Sequence, residues 1–167
     1  MKFTTIAAAF ALAQSVFGLR TVTLKTFAYP PPQYPEITGQ FVSAQHEGAG
    51  INYLFVVPQE GAAKFVYDED EKSLYLDPEV VGNAPYKFYF NVADGEPGFL
   101  MTGGTDKPLE VNIDNLGFVT FEGSYGVKAV KNVNDPYHYS DSSYALAKYD
   151  GAGPDGAIPV FFQAIDA

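Results

Sequence analysis

Cysteine is missing from all 167 residues of the chain, which excludes disulfide staples and removes the thiolate ligands of the usual zinc sites. Tryptophan is also absent, and with it the largest ring a sugar-binding surface can offer. Basic residues are few: 10 Lys and Arg stand against 20 Asp and Glu, a formal net charge of -10. No cluster of Lys or Arg offers a local exception, so phosphate backbones are repelled and nucleic acid is not an expected partner. There is no Asn-x-Ser/Thr acceptor, and N-linked sugar is not expected. No apolar run approaches the roughly 20 residues of a membrane-spanning helix, and Ile158 to Ala167 carries Asp166 instead of a greasy lipid-anchor tail. A membrane anchor is therefore not expected. What is abundant is aromatic: 14 Phe and 12 Tyr within a 47% hydrophobic composition. Such a chain buries a core and is not disordered.

The amino end reads as a secretory leader. Lys2 is the only charge before Arg20, Ile6 to Leu12 is apolar and rich in alanine, and Val16 and Gly18 are the small residues a signal peptidase would meet. Cleavage after Gly18 leaves 149 residues with a net charge near -11, nine basic side chains against twenty acidic ones. A chain of that length buries about 68–70% of its unfolded surface, enough for a core without staples. The expected organisation is a signal peptide over 1–18, an N-terminal strand and Pro-rich connector over 19–36, and an all-β domain over 37–167. Pro30 to Pro32 and Pro35 make the connector stiff and short of donors.

After the leader, short aromatic and β-branched runs alternate with turn residues. Thr21 to Phe27 alternates as a half-buried strand should, and eleven runs follow from Phe41–Ala44 to Val160–Ile165. Turns are chemically explicit at Asp94 to Gly98, Asp114 to Gly117 and Asp150 to Gly156. Three segments look alike: Tyr67-Asp68 leading to Leu74–Asp77, Ile113-Asp114 leading to Val119–Glu122, and Tyr149-Asp150 leading to Val160–Gln163. Eleven or twelve antiparallel strands grouped in threes favour a β-trefoil, with a β-sandwich or Greek-key barrel as the alternative.

Chemistry is harder to find. Asp68 to Glu71 is the densest charge run, but Lys72 stands where a calcium loop needs a Gly or another ligand, so a solvated hairpin tip is expected there. His46 and His138 are the only histidines, far apart in the chain, and no metal or cofactor is expected. No Gly-x-Ser-x-Gly elbow is present, and Ser124 reads as a turn residue. Twenty acids leave a glycosidase pair open, yet composition selects none, so no catalytic residue is named. The longest polar loop with interleaved aromatics runs from Asp135 to Ser143, beside Asn132 and Asn134. Tyr rings stack on sugar faces while Asp and His bond hydroxyls, which makes Tyr137, His138, Tyr139 and Asp141 the candidate carbohydrate contacts.

Gly39 to Tyr53, the paired Lys64–Tyr67 and Ser73–Leu76, and the paired Val111–Asp114 and Phe118–Phe121 together resemble the fungal secreted cell-wall protein family typified by the phialide-development protein PhiA. The resemblance covers most of the mature chain, although the relatives carry cysteines and glycosylation sites that are missing here. It implies a non-catalytic role at the fungal cell surface, with wall polysaccharide or other wall proteins as partners. A small secreted hydrolase or protease inhibitor on the same β scaffold is the alternative.

Overall fold

The computed structural model describes residues 18–80, 82, 84–149 and 151–167. The expected leader therefore lies outside the described residues apart from Gly18, as does Asp150 of the third look-alike segment. Twelve strands appear in chain order: β1 Leu19–Ala28, β2 Phe41–Gly48, β3 Ile51–Val57, β4 Phe65–Asp68, β5 Ser73–Leu76, β6 Tyr89–Val92, β7 Gly98–Gly103, β8 Val111–Ile113, β9 Phe118–Phe121, β10 Val127–Val130, β11 Ala145–Lys148 and β12 Ile158–Asp166. The described helical structure is two three-residue 3-10 turns, Gln59–Gly61 and Tyr139–Asp141. The all-β single domain read from the runs is thus what the chain forms.

All twelve strands join one antiparallel sheet in the order β2-β1-β4-β5-β6-β7-β3-β11-β10-β12-β9-β8. Extra pairings β2–β3 and β1–β12 close part of the ladder on itself, so that β2 is paired on both sides; β8, paired with β9 alone, stands at the other end of the order. β1 is central to this closure, running Val22 to Ala28 against Asp166 to Val160 while its start pairs with β4.

The threefold grouping does not carry into the pairing. β4–β5 and β8–β9 are hairpins, but in the third look-alike segment β10 lies between β11 and β12 and pairs with both. A trefoil needs three equivalent units, and here the third differs from the other two in its pairing. The acidic run Asp68 to Glu71 caps the β4–β5 hairpin, with Lys87 Nζ 3.4 Å from Glu71 and 3.8 Å from Asp68.

Two apolar clusters hold the sheet. The larger threads Phe65, Phe90, Phe121 and Phe162 through the interior at ring separations of 5.0, 6.1 and 5.6 Å, each pair adding about 0.5–1.5 kcal/mol beyond its burial. The smaller cluster gathers Phe55, Phe99, Val130, Ala145 and Ala147 from β3, β7, β10 and β11. It is the floor on which the loop after β10 rests.

Candidate functional site

The site begins with an irregularity in β2. Between His46 and Gly48 the β2–β3 register shifts, a β-bulge that adds one unpaired residue and re-aims a side chain. His46 is consequently exposed, whereas Glu47 is turned inward and is 7% exposed. Gly48, Ala49 and Gly50 all take positive φ to close the hairpin. At Gly48 a Cβ would meet the Tyr137 hydroxyl at 3.8 Å, an ordinary contact, so it is the φ of 98 that calls for glycine there.

The facing element is the loop between β10 and β11. Asn132, Asn134 and His138 adopt left-handed conformations, φ 53, 55 and 59, which suit asparagine and let the chain curl tightly. At the centre of the curl is Asp135, 1% exposed. Its Oδ2 accepts the Tyr139 N–H at 2.7 Å and its Oδ1 the Ser140 N–H at 3.0 Å. Buried Ser140 accepts in turn, through its carbonyl from the Asn132 N–H at 3.0 Å and through its hydroxyl from the Val133 N–H at 3.1 Å. Glu47 reaches across from the hairpin, its Oε2 accepting the Tyr137 N–H at 3.0 Å. Two buried carboxyls from distant parts of the chain thus hold one loop by its backbone.

Their surroundings push the two carboxyls in opposite directions. Burial pushes Glu47 up to about 7, and both the hydrogen bond with Asp135 and the negative charge of Asp135 act in the same direction against the lowering effect of the Tyr137 N–H. Asp135 goes the other way. Burial alone would raise it, but the Ser140 hydroxyl and N–H, Glu47 and the Tyr139 N–H together hold it below the ordinary carboxylate range. The geometry agrees, because Glu47 Oε1 is buried with no donor, a costly state for a carboxylate that a carboxylic acid relieves by carrying the donor itself. Tyr53 on β3 faces the pair, and burial followed by the charges of Glu47 and Asp135 raises its hydroxyl.

Above the pair stands a ladder of rings. His46 lies 6.2 Å from Tyr137 and tilted by 35°, and Tyr137 lies 6.1 Å from Tyr139 at 28°. Tyr139 meets Phe55 of the floor edge-on at 5.8 Å, while Tyr53 stacks on Phe99 at 4.5 Å. Tyr137 is 54% and Tyr139 37% exposed, with His138 and Asp141 exposed beside them. All four residues singled out from the sequence therefore lie on one surface loop. Glu47, His46 and Tyr53 escaped sequence reasoning, and no local signal marks them, since their burial or proximity depends on the bulge and on a loop 90 residues away.

The arrangement offers ring faces and polar edges. It does not offer glycosidase geometry, in which two carboxyls flank a bond at a separation of about 5 Å or more with room for sugar or water between them. Here the carboxyls are buried, and three of their four oxygens accept backbone N–H groups. A separate cleft of about 580 Å³ is lined by residues including Asn91, Met101, Lys107, Glu122 and Lys148 and shares none with the tyrosine loop. Its Lys148 and Glu122 neutralise each other at 2.8 Å.

Comparison with known proteins adds the context. Cell wall protein PGA31 of Candida albicans is 35% identical over 161 residues, 96% of this chain and 51% of that protein. The chain is homologous to fungal cell wall proteins. Cell wall protein PGA30 of the same organism is 33% identical over 95% of this chain and 53% of its own length, and cell wall protein RHD3 is 32% identical over 75% and 60%. The chain thus spans about half the length of the first two relatives. No family model and no solved structure matches it. A cell-wall or extracellular location, expected from the leader, agrees with these relatives. Among the described residues, no helix is long and apolar enough to cross a membrane.

Proposed function

We propose that the protein is an exported, non-catalytic component of the fungal cell wall, which contacts wall polysaccharide through Tyr137, His138, Tyr139 and Asp141. The observation that carries this reading is the exposed ring ladder of His46, Tyr137 and Tyr139, mounted on a loop whose backbone is fixed by two buried carboxyls. Fixing the loop beforehand lowers the ordering cost of binding. Tyr rings present CH-binding faces, and His138, Asp141, Asn132 and Asn134 supply neutral and acidic edges for hydroxyls. The Candida relatives, named as cell wall proteins, supply the setting. Residues 1–18 act as the removable leader that brings the chain there, 19–36 form the first strand and connector, and 37–167 complete the domain.

The test is a glycan array together with a pull-down of the purified secreted protein on isolated wall glucan, chitin and mannan. Retention on one polymer, weakened about tenfold in Y137A/Y139A, is expected, taking about 0.5–1.5 kcal/mol per ring contact. Equal retention of the double variant, or selective capture of another wall protein in place of any polymer, overturns the assignment of the loop as a sugar contact.

A further inference from the structure

We infer that Glu47 and Asp135 form a proton-operated latch: with one proton between them the Tyr137 end of the loop is docked on the β2–β3 hairpin, and with both ionised it is released. The geometry is one-sided in a useful way. Asp135 holds the Tyr139 and Ser140 N–H groups from within the loop itself, so the 3-10 turn Tyr139–Asp141 survives when the proton leaves. Glu47 belongs to the hairpin, and its grip on the Tyr137 N–H holds the Tyr137 end of the loop, whereas the far end is tied to β3 separately, by the Val56 N–H on the Tyr144 carbonyl at 2.8 Å and by Tyr139 against Phe55. A second negative charge on Glu47 would face Asp135 directly and leave Oε1 buried without a donor. Titratable groups around the pair are Tyr53 from β3, His46 next along β2, and Tyr137, His138 and Tyr139 in the loop. Among the described residues, no Lys or Arg pairs with either carboxyl, so nothing there neutralises the added charge, and separation of loop and hairpin relieves it. Release at Tyr137 also breaks its ring contacts with His46 and Tyr139, so the latch governs the surface proposed above to meet polysaccharide. That last consequence rests on the proposed function, while the latch itself does not.

The experiment follows amide resonances and hydrogen exchange of Tyr137 and Ser140 from pH 5 to 8.5, in the wild-type protein, in E47Q and in H46N/H138N. The wild type is expected to show one step at Tyr137 centred near 7, with exchange protection of that amide falling at least tenfold beyond the intrinsic pH effect and Ser140 changing less. E47Q keeps a neutral acceptor for the Tyr137 N–H and a donor for Asp135, and should stay protected with no step. H46N/H138N should keep the step. A flat wild-type profile, a step that persists in E47Q, or a step lost in H46N/H138N overturns the latch. A pull-down on wall glucan at pH 5.5 and 8.5 separates the two readings. Retention that weakens at pH 8.5 in the wild type and not in E47Q supports both, whereas no retention at either pH beside a clear amide step supports the latch and sinks the polysaccharide contact.

Discussion

Replacing Asp135 with alanine removes the group on which the loop is wound. The side chain is 1% exposed and accepts the Tyr139 and Ser140 N–H groups at 2.7 and 3.0 Å, and it also receives the Ser140 hydroxyl and lies beside Glu47. Hydrogen bonds to a charged acceptor contribute about 1.5–3 kcal/mol each, and buried donors left unpaired add a desolvation cost of similar size. Ser140 is fully buried, so water cannot replace the lost acceptor there, whereas Tyr139 is partly reached by solvent. The expected loss is about 3–5 kcal/mol, a large share of the 5–15 kcal/mol that domains of this size possess. Urea denaturation at pH 5 reads it directly, and thermal unfolding should show a fall in Tm of roughly 10–15 °C. D135N keeps one acceptor and turns the other into a donor facing an N–H, so about half the loss is expected. A loss below about 1 kcal/mol for D135A, the size of an ordinary surface substitution, would show that the buried acid does not organise the loop.

Stability should fall as pH rises from about 4.5 to 7, because over that range native Glu47 keeps a proton that the unfolded chain has released. The ceiling is about 3 kcal/mol, and E47Q should flatten the slope in pH-dependent urea titrations. Asp135 acts oppositely: its native form is lowered, so its stabilisation is present above the ordinary Asp value and disappears as pH drops through the native one, leaving a maximum near pH 4 to 5. F121A opens the aromatic thread between Phe90 and Phe162 and should cost about 3–5 kcal/mol, measured by the same denaturation. Gly117 has φ 83, and a Cβ there would lie 2.9 Å from the Ala164 carbonyl, so G117A should cost about 1–3 kcal/mol; a cost below 0.5 kcal/mol, roughly that of a neutral surface change, would contradict the close approach of the β8–β9 turn to β12.

β1, β9 and β12 were legible because alternate residues are buried, β4 and β5 as short apolar runs buried on both faces, and the turns because their chemistry is local. Asp114 shows this well: its Oδ1 accepts the Leu116 and Phe118 N–H groups at 2.9 and 2.8 Å, a turn written within five residues. The order of strands is less local. Nothing in Tyr149 to Gln163 announces that β10 will separate β11 from β12, because that choice is made by pairing energy between segments distant in sequence. The tyrosine loop could be singled out by composition, since exposed rings among turn formers are uncommon. Its support could not. Glu47 sits before Gly48-Ala49-Gly50 and reads as a solvated hairpin end; only the bulge and the arrival of Asp135 turn it into a buried acid.

Amide chemical-shift mapping of the secreted protein at pH 5.5, during titration with soluble wall glucan, chitin and mannan oligomers, asks whether the ring ladder on the loop after β10 is the surface that meets wall polysaccharide. Saturable shifts are expected at Tyr137, His138, Tyr139 and Asp141, extending to His46. Saturable shifts confined instead to the cleft beside Asn91 and Lys148, or no saturable shift with any oligomer, would contradict that assignment.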